Sequence, residues 1–209
     1  KKDGVHLNGP SSFGIIRNLE GENMLDDLVA FNAWDWDRSA TTFGTLDHVF
    51  VENIKSNNNE IRLLPGRKTY ENAPSNDCDI TNCIFKDLIT SDYADSKGSK
   101  KGCGAALFTM KNGTVKIDNC QFENCTGHHV GGCICLSGPT TTLTVSNSTF
   151  KNCVSENTHG GAISSGEGAP YTVKNCTFED CSAKLQAGAL YANKGAVLTA
   201  EGCTFKGCH

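Results

Sequence analysis

The sequence predicts an all-β protein, a parallel β-helix of about eight rungs, because two repeated phrases keep the same period. The first phrase is a seven-residue segment with phenylalanine at its fourth position and, in most copies, cysteine at its second and seventh positions. It occurs five times. Its phenylalanines are separated by 37, 28, 28 and 27 residues, at Phe85, Phe122, Phe150, Phe178 and Phe205. A fixed period of this length indicates a stacked repeat architecture, in which each repeat buries its apolar face against its neighbours.

The second phrase consists of small residues followed by an aliphatic one. Its copies begin at Gly104, Gly131, Gly160 and Ala187, so they recur every 27 to 29 residues, in step with the first phrase. Small residues at such positions suit a tight bend that leads into a short strand where inward space is crowded.

Between the two phrases, residues 114–117, 143–145, 171–173 and 197–199 form a third element that alternates apolar and polar side chains. This alternation is typical of a strand with one buried face. Each repeat therefore holds about three short strands and lacks the apolar spacing of a helix. A β-propeller is the main alternative, but its repeats are longer, at about 40 residues.

Stacking in register brings equivalent side chains to within about 4.8 Å of each other, the normal distance between strands. We therefore expect the phenylalanines to form an aromatic ladder inside the coil. Two further inward ladders are predicted, one of Cys125, Cys153, Cys181 and Cys208 and the other of Cys120, Ser148, Cys176 and Cys203. The repeated Asn119, Asn147 and Asn175 are expected to mark a corner, where amides satisfy backbone groups or neighbouring amides.

Twelve cysteines would ordinarily suggest a secreted disulfide scaffold. Most of them lie in or beside the repeated phrases, where they would act as small buried apolar groups. Two states stay open, stacked free thiols and disulfides between rungs, since adjacent rungs fall within the Cα separation that a disulfide needs. A zinc site is not expected because no CxxC pair occurs, and no cofactor is predicted.

The net charge of −4 argues against a general nucleic-acid binder. No apolar run approaches the roughly 18 residues of a membrane-spanning helix. The chain begins and stops inside strand-like sequence, and a solenoid needs capped ends, so we expect a fragment or a processed chain.

Residues 1–88 are predicted to be irregular rungs with loop excursions, and residues 89–209 to be regular rungs of the same continuous solenoid. Strands are expected over residues 4–7, 14–19, 28–32, 48–54 and 61–64. One loop holds Trp34 and Trp36, whose rings could stack on sugars or cover the core.

Carboxylates concentrate in the first of these stretches. Asp3 precedes the adjacent pair Asp26 and Asp27 by 23 residues, about one rung. Stacking would bring these side chains onto one face, where paired carboxylates can hydrolyse a glycosidic bond. A solvated turn or a cation site is the alternative.

The segments Asp3-Gly4-Val5 and Asp26-Asp27-Leu28-Val29-Ala30 resemble the polygalacturonase-type glycoside hydrolases of the pectin-lyase-like, right-handed β-helix superfamily. The resemblance implies an inverting hydrolase of a uronan-type polysaccharide, with Asp26 as general acid and Asp3 and Asp27 as the carboxylates that activate water. His48 and Arg62 are loose counterparts of the Gly-His-Gly and Arg-Ile-Lys segments of those enzymes. The predicted substrate-binding residues are His48, Trp34, Trp36, Arg62, Arg67 and Lys68.

Residues 89–209 resemble a different group. Phe150-Lys151-Asn152-Cys153 with Gly160-Gly161-Ala162-Ile163 is similar to the paired repeats of chlamydial polymorphic outer-membrane proteins. That resemblance implies a surface adhesin that binds without chemistry. Both resemblances imply an extracellular or cell-surface location and a polysaccharide or surface glycan as partner.

Overall fold

The computed structural model describes residues 4–8, 11–21, 28–32, 46–56, 61–64, 77–90, 93–94, 100–101, 103–109, 113–136 and 138–209. Within these ranges the regular elements are β-strands, and all but one small pair belong to three parallel sheets. The chain passes through sheets A, B and C in turn, and each complete turn is one rung. This arrangement confirms the predicted parallel β-helix.

Strand order within each sheet follows the chain. Sheet A contains β1 (Val5–Asn8), β4 (Val29–Asn32), β7 (Ile61–Leu64), β12 (Leu107–Thr109), β15 (Ile134–Leu136), β19 (Ile163–Ser165) and β23 (Leu190–Ala192). Sheet B contains β2 (Ser11–Ser12), β5 (Leu46–Asp47), β8 (Asp77–Thr81), β13 (Gly113–Asp118), β16 (Thr141–Ser146), β20 (Tyr171–Lys174) and β24 (Leu198–Glu201).

Sheet C contains β3 (Ile15–Gly21), β6 (Phe50–Ser56), β9 (Ile84–Thr90), β14 (Gln121–Gly127), β17 (Thr149–Lys151), β21 (Thr177–Glu179) and β25 (Thr204–Lys206). The short strands β18 (Val154–Ser155) and β22 (Ser182–Ala183) continue it beyond a bend. A separate antiparallel pair consists of β10 (Tyr93–Ala94) and β11 (Lys100–Lys101). The described parts of the chain thus form seven rungs, close to the eight expected.

The expected early strands are confirmed to within a few residues at their ends. Residues 14–19 correspond to β3, residues 48–54 to β6 and residues 61–64 to β7. The same three sheets run through both stretches of the sequence, although the cysteine phrase begins only at β9.

Asparagines turn the chain at the corner between sheets B and C, as predicted. Asn119 has a φ of 52° and Asn147 a φ of 50°, a left-handed conformation that asparagine tolerates better than most residues. The amide of Asn119 donates to the side-chain oxygen of Asn82, one rung away, at 2.8 Å. A second left-handed bend follows five residues later, where the amide of Asn124 donates to Asp87 at 2.7 Å.

The predicted aromatic ladder is present inside the coil. Successive rings from Phe85 to Phe205 stack with centroids 5.0, 4.6, 5.0 and 5.0 Å apart. The four rings from Phe85 to Phe178 are buried, whereas Phe205 is 49% exposed. Val51 and Ile16 take the same position in the two preceding rungs, so aliphatic residues continue the ladder towards the N-terminus.

The cysteine ladders are also confirmed, and the described cysteines carry free thiols. Cys125, Cys153 and Cys181 are fully buried. Each donates its S–H to the carbonyl oxygen two residues earlier, at 3.6 to 3.7 Å. In this structure the ladder cysteines are stacked thiols.

The small-residue phrase forms the bend that leads into sheet A. Gly160 has a φ of 67°, and a side chain on the next residue, Gly161, would overlap the carbonyl oxygen of Gly188 in the following rung. Glycine is required at Gly161 because neighbouring rungs touch through their backbones at this point.

Candidate functional site

The candidate site of the first rungs is built around β1, β4 and β7 of sheet A. These strands pair in parallel register, with Val5 opposite Val29 and Val29 opposite Ile61. Val29 and Ala30 are fully buried, so the start of β4 is fixed against the core. The three strands are consequently aligned with each other in successive rungs.

Most of the predicted site residues lie outside the described residues. These are the three catalytic candidates Asp3, Asp26 and Asp27 and the binding candidates Trp34, Trp36, Arg67 and Lys68. For Arg62 the structure describes the backbone, which lies in β7 opposite Ala30 of β4.

His48 is described in full, and it lies at the corner between sheets B and C. It occupies the corner position that Asn82 takes in the next rung, with a φ of 49°. Its ring stacks on Phe13 of the preceding rung, with centroids 5.0 Å apart and an interplanar angle of 21°. An aromatic pair thus replaces the asparagine pair that the later rungs use.

Asp47 binds this corner together. Its Oδ2 lies 2.9 Å from Nδ1 of His48, while its Oδ1 accepts hydrogen bonds from Thr81 at 2.8 Å and from Asn82 at 2.9 Å. The hydrogen bond from Asn82, followed by those from His48 and Thr81, lowers the pKa of Asp47 to about 2. The carboxylate is therefore charged and fully engaged, which suits a structural anchor better than a proton donor.

The two described members of the predicted binding set have backbones in different parts of the coil. His48 lies at the corner between sheets B and C, whereas Arg62 lies within sheet A. A ligand held on the face of sheet A at β7 would not touch the ring of His48 without extending around the coil.

Sequence reasoning missed the corner group of Phe13, Asp47 and His48. The repeat period gives a signal for this group. His48 lies 34 residues before Asn82, and Phe13 lies 35 residues before His48. The signal is weak, since neither residue resembles the asparagine of the phrase.

A second missed feature is a ladder of alternating charge on the outer face of sheet C. Its seven members, one per rung, are Arg17, Glu52, Lys86, Glu123, Lys151, Glu179 and Lys206. Two neighbouring pairs approach ion-pair distance, Lys86 with Glu123 at 3.9 Å and Lys151 with Glu179 at 3.8 Å. Part of this ladder and the threonines beside it line a shallow depression.

Metal chemistry finds no support in the described part of the chain. No group of three or more histidine, cysteine or acidic side chains is arranged there to hold an ion. Among the same residues, no helix is long and apolar enough to cross a membrane.

Comparison with known proteins agrees with the coil geometry. A family model described as "right handed beta helix region" matches residues 3–209. Neither the curated proteins nor the solved structures contain a match to the chain. Because the match spans nearly the whole sequence, the chain belongs to the right-handed β-helix family.

Proposed function

We propose that this chain is a carbohydrate-directed β-helix protein whose first rungs hydrolyse a uronan-type polysaccharide with inversion. The observation that carries the proposal is the register of β1 and β4, in which Val5 lies opposite Val29. In the sequence, Asp3 and Asp27 each precede one of these valines by two residues. Their spacing thus equals the offset between the two strands, which supports their assignment as partners one rung apart.

An inverting hydrolase needs one protonated carboxyl group and a carboxylate that activates water, about 6.5–9.5 Å apart. Asp26 is proposed as the general acid, and Asp3 and Asp27 are proposed as the carboxylates that activate the water. Three neighbouring carboxylates repel each other, and this repulsion favours the protonated form of one of them.

The proposed substrate class follows from the binding residues. Arg62, Arg67 and Lys68 would pair with the carboxylates of uronic acid units, and Trp34 and Trp36 would stack on the sugar rings. The described position of His48, outside sheet A, supports a contact only with a part of the substrate that extends around the corner.

Release of reducing sugar from a panel of polysaccharides, neutral and uronic, tests the proposal. Asp26→Asn should reduce the rate at least about 100-fold, because general acid catalysis contributes on that scale. Glu201→Gln is the matched control, since this carboxylate pairs with Lys174 at 3.0 Å in the last two rungs and should leave the rate unchanged. No sugar release by the wild-type protein from any member of the panel would contradict the proposed hydrolase.

A second candidate, a surface β-helix that binds a glycan without cleaving it, is favoured by the later rungs. Glutamates there are paired with lysines, as in Lys151–Glu179 at 3.8 Å and Lys174–Glu201 at 3.0 Å. These side chains are 40–61% exposed, so they are open to a ligand on the outer face of the coil. For this candidate, immobilised glycans should retain the Asp26→Asn variant as well as the wild type, and loss of retention in the variant would contradict it.

A further inference from the structure

Two cysteines from different sheets meet inside the coil. The sulfur atoms of Cys133 and Cys153 lie 3.1 Å apart, and both residues are fully buried. Cys133 comes directly before β15 of sheet A, and Cys153 lies between β17 and β18 of sheet C. The sulfur atoms are about 1 Å beyond the length of a disulfide bond, roughly 2.05 Å.

Cys133 is an exception within its own column. In sheet A the equivalent positions are Ala106, Ala162 and Ala189, and the backbone hydrogen bonds run from Ala106 to Cys133 and from Cys133 to Ala162, both at 3.0 Å. A methyl group therefore satisfies the packing at this position in the other three of these rungs. Only Cys133 adds a sulfur atom among them, and it faces the cysteine ladder of sheet C.

The cysteines of that ladder are stacked side by side along the coil. Cys125, Cys153 and Cys181 all donate to the carbonyl oxygen two residues earlier, so their side chains point in the same direction. Cys133 approaches from the bend before sheet A; its thiol contacts that of Cys125 in the preceding rung, and its sulfur lies 3.1 Å from that of Cys153. Facing side chains, rather than parallel ones, meet the directional requirement of a disulfide.

We propose that Cys133 and Cys153 form an oxidative cross-linking site, at which a disulfide oxidant of the glutathione class ties sheet A to sheet C through the interior of the coil. One thiolate attacks the oxidant, forms a mixed disulfide and releases one reduced thiol. The second thiolate then attacks the protein sulfur of that mixed disulfide, and a second reduced thiol leaves. The protein loses two electrons and two protons, which the oxidant takes up.

Burial determines when this reaction occurs. Removal from water raises the pKa of both Cys133 and Cys153, so the folded protein holds them as unreactive thiols. The oxidant consequently reaches them while the rungs are forming or transiently open. A chain that folds in an oxidising compartment gains the cross-link, whereas a reduced, folded chain resists oxidation.

The test is to unfold the reduced full chain, refold it with reduced and oxidised glutathione, alkylate the remaining thiols and map the cross-links by mass spectrometry. The tryptic fragment 152–174 contains Cys153 as its single cysteine, and tandem fragmentation then distinguishes Cys133 from Cys120, Cys125 and Cys135 within its partner fragment 117–151. We expect that fragment to be joined to Cys133. The closed loop should raise the melting temperature by roughly 5–10 °C over the reduced protein.

Two substitutions drawn from the chain's own columns provide the comparison. Cys133→Ala places in this rung the residue that the neighbouring rungs have, and it should abolish both the cross-link and the rise in melting temperature. Cys176→Ser copies Ser148 of the adjacent rung and should preserve both. The proposal is overturned if wild-type Cys153 is recovered alkylated or joined to another cysteine, or if Cys133→Ala keeps the full rise.

Discussion

The rings of Phe122 and Phe150 stack inside the coil with centroids 4.6 Å apart and planes only 4° from parallel. The two residues are 28 positions apart in the sequence and directly opposite in sheet C. Their contact shows why the repeat period stabilises the fold, because each rung buries its apolar face against the same face of the next rung.

Removing one ring from this stack should be strongly destabilising. Phe122→Ala leaves a buried cavity against Phe85 and Phe150, and we expect a loss of about 3–5 kcal/mol in the free energy of unfolding. Denaturant titration followed by circular dichroism measures it. Phe205→Ala is the control, because that ring is already 49% exposed and should cost clearly less. Equal losses for the two variants would contradict a buried ladder.

Close backbone contact between rungs predicts that Gly161 tolerates no side chain. A methyl group there would overlap the carbonyl oxygen of Gly188, so Gly161→Ala should cost at least about 1–3 kcal/mol. Gly14→Ala is the matched control, since its methyl would meet only Val49 side-chain atoms at 3.7 Å. Its stability should change by less than about 1 kcal/mol. Thermal melts of both variants decide the point.

Charge alternation on sheet C predicts a response to salt. Glu123→Lys would place a cation between Lys86 and Lys151, its neighbours in the two adjacent rungs, and should destabilise the protein by up to about 1 kcal/mol at low ionic strength. Salt should recover much of this loss through screening. Glu123→Gln removes the charge without adding repulsion and should show a weaker salt effect. A loss for Glu123→Lys that is independent of salt would rule out repulsion as its cause.

The lowered pKa of Asp47, the carboxylate at the corner between sheets B and C, predicts that the stability of the protein falls at low pH. The pKa of Asp47 is about 2 in the folded protein, below its ordinary value of 3.8. A lowered pKa means that the stabilisation is complete above about pH 4 and is lost as the pH falls through 2. Asp47→Asn imitates the protonated form, so its melting temperature should converge with that of the wild type between pH 4 and pH 2.

Titration of Asp47 by carbon NMR provides a direct measurement for the same prediction. An inflection near pH 4, or a melting-temperature difference that stays constant down to pH 2, would show that Asn82 and His48 do not hold the carboxylate as described.

Much of the fold could be predicted because its signals are periodic. Phe122, Phe150 and Phe178 recur at nearly constant spacing, and that spacing is enough to infer inward ladders and their neighbours. The N-terminal rungs were harder, since Val51 and Ile16 fill the aromatic position without resembling it. The charge ladder was hidden because alternation between rungs becomes visible only after the register is known.

The catalytic part of the candidate site stays a prediction. The spacing of Asp3 and Asp27 follows from the sequence, but both residues lie outside the described ranges. His48 was selected by its residue type, but the coil places it at a corner between sheets, away from Arg62 of β7.

The sequence by itself determined the rung length, the three strands of each rung and the residues that face inward, because each of these repeats along the chain. Only the tertiary structure decided which residues meet between different sheets inside the coil, such as Cys133 with Cys153. The physical reason is that stacking contacts follow the period, whereas contacts between walls depend on how sharply each corner turns. Those turns are set by left-handed residues such as Asn119 and Gly160 together with the backbone around them.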